Sequence, residues 1–364
     1  MTPALQESAE PPDLLSLSEP AMVQFVRGLG WPAYRARQVL RWLYRRRQTD
    51  IAGMTDLSRT DRDRLSAHTV ISRPRNVRIY TSADGTRKLV FTLSDGLAVE
   101  SVLIPEDDRL TLCLSTQVGC TLDCAFCLTG TMGLHRNLRV AEILVQVLIA
   151  QDHCSEKTPV TNLVFMGMGE PLANLDPLVE AIKRLTNTTW GFGFSPRRIT
   201  VSTAGLASRL NTLAPLGVNL AVSLNATTEA LRGRLMPAAA RLHSLRSLLT
   251  ACRAYPLASH RRLTFEYVLL GEINDAPDDA RRLVSLLRGL RSKVNLIPFN
   301  PFPGSSFRRP SDDAVHSFQE ILRQAGLDTF IRKSRGRDVL GACGQLGQLP
   351  ATGPVTLTQI EARC

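Results

Sequence analysis

The chain has 364 residues, 44% hydrophobic and 21% charged, which is typical of a folded globular protein with one large domain and a small accessory one. It has 44 basic residues against 33 acidic ones, a formal net charge of +11. No apolar run reaches the roughly 18 residues of a membrane span, and the first twenty residues do not resemble a signal peptide, so we expect neither feature.

The basic residues are mostly arginine, and the cysteines number eight. The planar arginine fork suits phosphate groups, so this excess favours a polyanionic partner such as nucleic acid. A genome rich in G and C, which favours arginine codons, is the alternative explanation. Cysteines in a long chain without a secretory signal predict reduced thiols and a cytoplasmic location.

The N-terminal part of the chain predicts a small helical module. Residues 1–18 are predicted to be disordered, and residues 19–72 to form a helical accessory domain. Its second helix, at residues 33–47, combines an apolar stripe with a face of arginines and interleaved aromatic residues. This pattern fits an ordinary surface helix, but the one-sided charge favours contact with an RNA backbone.

Residues 73–105 are predicted to form a β-hairpin linker. Two β-rich runs, residues 88–93 and 97–104, flank the dipeptide Asp95-Gly96, which is a strong hairpin signal. Glu100 lies in the second run, and a lone glutamate in a strand is most often a solvated charge at a sheet edge.

Residues 106–337 alternate between strand-like and helical segments, as expected for right-handed βαβ units with a parallel sheet. Strands are predicted at residues 112–118, 161–168, 198–203, 220–224, 263–269 and 294–299. Helices are predicted at residues 140–151, 175–186, 207–213, 228–235, 245–254, 278–290 and 312–324. Six units are fewer than the eight of a closed barrel, so the α/β fold class we predict is a partial (β/α)6 barrel.

Cys120, Cys124 and Cys127 follow the first predicted strand with the spacing C-x3-C-x2-C. Three thiolates can hold three irons of a [4Fe–4S] cluster and leave the fourth iron open to another ligand. A zinc site would need a fourth ligand, for which His135 is available outside the usual spacing. A disulfide would leave one of the three cysteines over.

Polar and glycine residues follow the later strands, and ligands of such folds bind at the carboxyl ends of the strands. These residues are Gly169, Glu170, Ser202, Ser223, Leu224, Asn225 and Asn300. Strand ends often carry glycine and serine merely to turn the chain. Four such ends on one rim, beside a three-cysteine loop, predict a binding site.

The cysteine triplet, with Phe126 before its last member and Gly169-Glu170 after the second strand, resembles the radical S-adenosylmethionine (SAM) superfamily. The resemblance implies a radical SAM barrel whose three cysteines hold a [4Fe–4S] cluster, with SAM chelating the open iron. It also implies that the strand-end residues named above are contacts to SAM.

A narrower match includes Cys113, Asn137-Leu138-Arg139, Met166–Leu172 and the segment around Cys343, residues 342–346. These residues resemble the RlmN-type family of dual-specificity RNA methyltransferases. The resemblance implies methylation of adenine C2 at an adenosine of the 23S rRNA peptidyl-transferase centre and at the adenosine 3′ of the tRNA anticodon. It further implies an external electron donor. From the sequence we predict no membrane association, and no obligate protein partner is evident in it.

In that family C2 is methylated through a cysteine, because this electron-poor carbon cannot attack the methyl group of SAM directly. The resemblance implies that Cys343, in the C-terminal segment 338–364, takes a methyl group from one of two SAM molecules used per turnover. Glu100 is then the proton acceptor, and Cys113 forms a disulfide with Cys343 to release the product. From the residues alone, both cysteines could be small buried hydrophobes. Cys154, Cys252 and Cys364 are interpreted as structural or incidental.

The chain departs from the family pattern at two places. Asn225 stands where many relatives have histidine, and Pro237 is followed by three alanines, residues 238–240, where they have an Ile-Asn pair. The second departure bears on the choice of RNA. Two rival functions are a related enzyme that methylates C8 of the same rRNA adenosine and an iron–sulfur protein that binds RNA or senses redox state without catalysis.

Overall fold

The computed structural model describes residues 11–155, 158–347 and 356–361. In these residues the α-helices are α1 (Glu19–Gly28), α2 (Tyr34–Tyr44), α3 (Arg59–His68), α4 (Leu128–Thr131), α5 (Val140–Asp152), α6 (Leu175–Thr186), α7 (Glu229–Leu235), α8 (Pro237–Leu242), α9 (Leu245–Ala254), α10 (Pro277–Leu287) and α11 (Asp312–Gln324). The strands are β1 (Asn76–Thr81), β2 (Arg87–Thr92), β3 (Ala98–Glu106), β4 (Arg109–Cys113), β5 (Gln117–Gly119), β6 (Leu134–Asn137), β7 (Asn162–Phe165), β8 (Ile199–Thr203), β9 (Asn219–Ser223), β10 (Leu263–Leu269), β11 (Ser292–Pro298), β12 (Thr329–Ile331) and β13 (Thr356–Glu361).

One large sheet organises the molecule, with the strand order β12-β11-β10-β9-β8-β7-β4-β3-β2-β1-β13. From β4 to β12 the neighbouring strands are parallel, and helices such as α5 and α6 connect them. Because β12 and β13 lie at opposite ends of this order, the sheet is open, and the predicted partial barrel is confirmed. The short strand β12 adds a seventh parallel strand that the sequence pattern does not predict.

The first predicted core strand, residues 112–118, is two strands in the structure. β4 ends at Cys113, and Thr116 N then donates to the carbonyl of Met168 at 2.9 Å. From Gln117 the chain pairs antiparallel with β6 in a separate sheet of two strands. This change of partner carries the cysteine loop away from the large sheet.

The predicted hairpin is present as β2 and β3, but β3 also pairs with β4, so the hairpin continues the core sheet. The interpretation of Glu100 as a solvated edge charge is wrong, because only 3% of this residue is exposed. β3 is an interior strand flanked by β2 and β4, and the chain around Val339 packs against neighbouring Val90. Glu100 is therefore buried between the sheet and the C-terminal part of the chain.

Residues 11–18 pack against the rest of the protein, so the prediction of disorder is wrong for this part, while residues 1–10 lie outside the described residues. Leu15 is fully buried. The buried guanidinium of Arg184, on α6, donates to the carbonyl of Leu15 at 2.5 Å and to the Tyr44 hydroxyl at 3.0 Å. This one side chain connects the N-terminal segment and α2 to the core.

Three core helices, α6, α9 and α11, have the predicted bounds. The helix predicted at residues 207–213 is instead a 3-10 helix, Ala207–Leu216, with Pro215 inside it. Proline lacks the amide donor that an α-helix needs at this position. The C-terminal strand β13 pairs antiparallel with β1, and the sequence pattern predicts neither strand.

Candidate active site

The cysteine loop, residues 120–127, lies between β5 and α4. Gly119 precedes it with a φ of +78°, and a Cβ here would collide with the carbonyl oxygen of Gly133. Only glycine fits this position. Inside the loop, Asp123 has a φ of +44°, and its carboxylate accepts a hydrogen bond from Ala238 N at 2.8 Å. The loop is therefore held at its start and at its middle.

Cys120, Cys124 and Cys127 line one open cleft. The same cleft is lined by Gly169, Glu170, Ser202, Ser223, Asn225, Asn300 and Cys343. Leu224 differs, because its side chain is fully buried in the hydrophobic core and only its backbone can face a ligand. The structure thus brings most of the predicted site residues together.

Gly169 and Glu170 shape the wall of the cleft after β7. Gly169 has a φ of +99°, and a Cβ there would lie 2.5 Å from the side chain of Gln117. The Glu170 carboxylate accepts hydrogen bonds from Leu172 N at 3.0 Å and from Ala204 N at 2.8 Å. Burial raises the pKa of Glu170, and these backbone donors oppose the rise. A carboxylate oriented in this way can bind an ammonium group.

Two asparagines of the cleft are also held by specific contacts. Asn300 Nδ2 donates to the carbonyl of Cys343 at 3.2 Å, and its Oδ1 is buried without a hydrogen-bond partner among the described residues. Asn225 has a φ of +55°, and its Oδ1 accepts a hydrogen bond from Val268 N at 2.9 Å. Asparagine is one of the few residues that adopt this left-handed conformation readily.

Cys343 and Cys113 both line a second cavity, which shares Cys127 and Asn300 with the cleft. Cys113, at the end of β4, is buried, whereas Cys343 keeps exposed surface, and both are free thiols. Burial raises the pKa of both thiols, and the proximity of Cys343 adds to the rise at Cys113. Two cysteines distant in the chain therefore face one space.

Glu100 is not among the described residues that line these two cavities. Its Oε2 lies 2.8 Å from Lys88 Nζ and accepts a hydrogen bond from Gly347 N at 3.0 Å. Burial raises the pKa of Glu100, and the positive charge of Lys88 offsets part of the rise. The structure places Glu100 beside the segment that carries Cys343, outside the open cleft.

Two charged residues of the cleft are absent from the sequence-based prediction. Glu266, on β10, is buried and accepts a hydrogen bond from Asn295 Nδ2 at 2.9 Å. Arg332 follows β12 and lines both cavities. Burial raises the pKa of Glu266, and Arg332 opposes the rise. The sequence signal that could have identified Glu266 is a charged residue within a strand of mostly apolar residues.

The cysteine loop suits an iron–sulfur cluster. A [4Fe–4S] cluster takes one thiolate at each iron, and Cys120, Cys124 and Cys127 all line the same cleft. Burial raises the pKa of Cys120 to about 12, so its proton must leave when metal binds. His135, the alternative zinc ligand, is exposed on β6 and is not among the residues that line the cleft.

The cleft beside the three cysteines also offers groups that would fit a SAM molecule. The Glu170 carboxylate can accept from the SAM amine, and the unpaired Asn300 Oδ1 can accept from another donor of the same molecule. Buried polar atoms are rarely left unsatisfied in folded proteins. The residues present therefore fit both groups.

This fold is that of a radical SAM enzyme, and residues 114–284 match the model of the Radical SAM superfamily. A crystal structure of a radical SAM methyltransferase from Sphaerobacter thermophilus aligns with a TM-score of 0.88 and 42% identity. The alignment covers 92% of this chain and 99% of that chain.

No helix of the described residues has the length and hydropathy needed to span a membrane.

The family is defined more closely by the whole chain. Residues 12–71 match the Ribosomal RNA large subunit methyltransferase N-terminal domain. The Dual-specificity RNA methyltransferase RlmN of Geobacter sulfurreducens is 51% identical over 94% of this chain and 94% of its own length. The protein of the same name from Geotalea uraniireducens is 48% identical, over 92% of this chain and 96% of its own length. The chain belongs to the RlmN family of radical SAM RNA methyltransferases.

Proposed function

We propose that the protein methylates C2 of two adenosines, one in the peptidyl-transferase centre of 23S rRNA and one 3′ of the anticodon in tRNA. The observation that supports methyl transfer through a cysteine is the meeting of two free thiols, Cys113 and Cys343, at a cavity that shares Cys127 with the cleft. Direct methyl transfer to an RNA nucleophile would need no such pair. A methyl group that travels on a thiol needs both a carrier and a second thiol to release it. An enzyme that methylates C8 would have the same cysteines, so the choice of C2 and of the two RNAs is supported by the overall similarity to the dual-specificity enzymes and by the N-terminal domain.

When bound, the cluster and two SAM molecules per turnover supply the methyl group and the radical that removes one hydrogen atom from it. Cys343 gives up its thiol proton, carries the methyl group as S-methylcysteine and delivers its carbon to adenine C2. Loss of the C2 proton and of one electron to the electron-transfer partner then leaves Cys343 joined to the RNA through an S–CH2 bridge. The Cys113 thiolate attacks the Cys343 sulfur, so the S–C bond breaks, its electron pair stays on the carbon, which takes up a proton to complete the methyl group, and a disulfide remains. An external electron donor reduces the disulfide to two thiols.

Glu100 accepts the C2 proton in this proposal. Burial raises the pKa of its carboxyl group toward the working pH, which makes the ionised form a better proton acceptor. Because Glu100 does not line the cleft, the proton reaches it through a bridging water. Its hydrogen bond with Gly347 N, at 3.0 Å, keeps the carboxylate beside the chain segment that carries Cys343.

The RNA contact is assigned to α2, within an accessory domain of residues 19–72. Arg37 and Arg41 are exposed on this helix, and Arg46, two residues beyond its end, is also exposed. The Arg46 guanidinium lies 4.1 Å from the centre of the ring of Trp42, which is itself buried, so the arginines form the surface that suits an RNA backbone. Residues 73–105, 106–337 and 338–364 are the proposed hairpin, radical SAM core and C-terminal segment. Both RNAs occur in the cytoplasm, and no protein partner is required.

Mass spectrometry of digested rRNA and tRNA after anaerobic reaction tests the proposal. We expect 2-methyladenosine in both RNAs, and 8-methyladenosine as the main product would contradict C2 methylation. Absence of both products and of 5′-deoxyadenosine would favour a binding or redox-sensing protein. Cys343→Ala should keep the cluster absorbance and lose the product. Cys252→Ala, at a buried cysteine of α9, is the control and should remain active.

A further inference from the structure

Lys88 and Glu100 form an ion pair that is removed from solvent. Lys88 lies on β2 and Glu100 on the neighbouring strand β3, and the distance from Nζ to Oε2 is 2.8 Å. The exposed fractions of the two side chains are 0% and 4%. Taking two charges out of water is costly, and a pair of apolar side chains often serves the stability of a fold equally well. The pair therefore calls for a role besides stability.

Each member of the pair also contacts one end of the Cys343 loop, which we define as residues 340–347. Lys88 Nζ donates to the carbonyl of Leu340 at 3.3 Å, and Gly347 N donates to Glu100 Oε2 at 3.0 Å. Cys343 lies between these two anchor points in the chain. The ion pair thus holds the backbone on both sides of the cysteine.

The backbone at both anchor points is unusual. Leu340 has a φ of +52° and Gly347 a φ of +122°. The left-handed region is unfavourable for leucine, and such conformations persist only where neighbouring groups hold them. The hydrogen bond from Lys88 to the Leu340 carbonyl is a contact that does so.

The surface beneath the loop is shaped to receive it. Val90, on the same strand as Lys88, packs with Val339 in a small buried cluster. A Cβ on Gly341 would lie 3.6 Å from the side chain of Val102, so the loop backbone rests close against β3. The hairpin of β2 and β3 is thus a platform for the loop, with the ion pair embedded in it.

We propose that Lys88 and Glu100 form a clasp that fixes both ends of the Cys343 loop while leaving Cys343 itself able to turn. This inference rests on the proposed role of Cys343 as methyl carrier. In that role its sulfur must face SAM and RNA in the cleft and later reach Cys113. A loop anchored at both ends allows these small rotations and keeps the sulfur inside the cavities. Lys88 is accordingly a positioning residue.

Hydrogen–deuterium exchange of the reconstituted, RNA-free protein tests the clasp without reference to methylation. The double variant Lys88→Met with Glu100→Met removes both charges, so no unpaired charge is left buried. We expect it to fold, with amides of residues 340–347 exchanging at least about tenfold faster than in the wild type. Lys183→Met, an exposed lysine on α6, is the matched control and should leave this exchange unchanged.

Iodoacetamide labelling gives a second readout, because Cys343 already has exposed surface and a released loop would move its thiol out of the cavities toward the reagent. Cys343 should be alkylated about tenfold faster in the double variant than in the wild type. The single variant Lys88→Arg keeps the charge and the donors, so its Cys343 should be alkylated nearly as slowly as that of the wild type. A folded double variant with wild-type exchange and labelling would overturn the clasp. A double variant that does not fold would also overturn it, because the pair would then serve the sheet. Failure of the methylation proposal would appear separately, as absence of 2-methyladenosine from the wild-type reaction.

Discussion

The side-chain amide of Asn300 donates to the carbonyl of Cys343 at 3.2 Å, while the Oδ1 atom of the same amide is buried without a partner among the described residues. Asn300 follows β11, and Cys343 lies in the C-terminal segment. One amide group thus joins the rim of the barrel to the loop of the proposed methyl carrier. Its second polar atom remains available to a ligand in the cleft.

Asn300→Ala should weaken SAM binding about tenfold, because the ligand would lose one acceptor in a buried site. Equilibrium dialysis with the reconstituted protein measures this change. Asn219→Ala is the control, since Asn219 lies at the start of β9 and donates to Arg197 O at 2.7 Å. If the Asn300 variant bound SAM as tightly as the control, Oδ1 would not be a SAM contact.

Gly169→Ala should lower the free energy of unfolding by about 3 kcal/mol, because the new Cβ would add a steric clash to backbone strain. A Cβ at this position would lie 2.5 Å from Gln117, and the φ is +99°. Gly289→Ala is matched to it, with a φ of +78° and nothing within 4 Å. It should cost only about 1 kcal/mol in urea unfolding. Equal losses would show that the wall of the cleft can adjust.

Asp84 should contribute to stability in a pH-dependent way. Burial acts to raise its pKa, but hydrogen bonds from Gly336 N and Thr86 lower it to about 2, from an ordinary value of 3.8. A depressed carboxyl pKa adds stability that is complete well above the unfolded value and is lost as the pH falls through the folded value. The difference in Tm between wild type and Asp84→Asn should therefore be constant from about pH 8 to about pH 5 and shrink below about pH 4. A difference that grew on acidification would contradict this assignment.

Arg184→Met should lower the free energy of unfolding by about 3 kcal/mol, since it leaves the buried carbonyl of Leu15 and the Tyr44 hydroxyl without their donor. Limited proteolysis should then cut first within residues 11–72, the part that Arg184 connects to the core. Lys183→Met, one position earlier on the exposed side of α6, is the control for both measurements. Unchanged proteolysis would mean that other contacts attach the accessory module.

The parts of this protein that local patterns determine are predicted well from its sequence. α6 and α11 have their predicted bounds because apolar spacing and terminal residues mark both ends of each helix, with Ser311 accepting a hydrogen bond from Ala314 N at the start of α11. The cysteine spacing and the polar strand ends predict the residues that line the cleft. These signals lie within a few residues of one another in the chain.

The remaining features depend on contacts between distant segments. The break after Cys113 arises because the backbone turns to the carbonyl of Met168, and the burial of Glu100 depends on Lys88 and on the C-terminal segment. β13 pairs with β1, which lies 275 residues or more earlier in the chain. No local pattern contains this information, so these features become visible only in the structure.

The central claim, that Cys343 carries the methyl carbon and Cys113 releases the product, is tested most directly with Cys113→Ala. Mass spectrometry of this variant after anaerobic reaction with RNA, SAM and a reductant should find RNA bound covalently to the peptide that contains Cys343. The resolving thiol would be absent, so the bond from the Cys343 sulfur through the transferred carbon to adenine would persist. Release of 2-methyladenosine at the wild-type rate, with no RNA on that peptide, would contradict the claim.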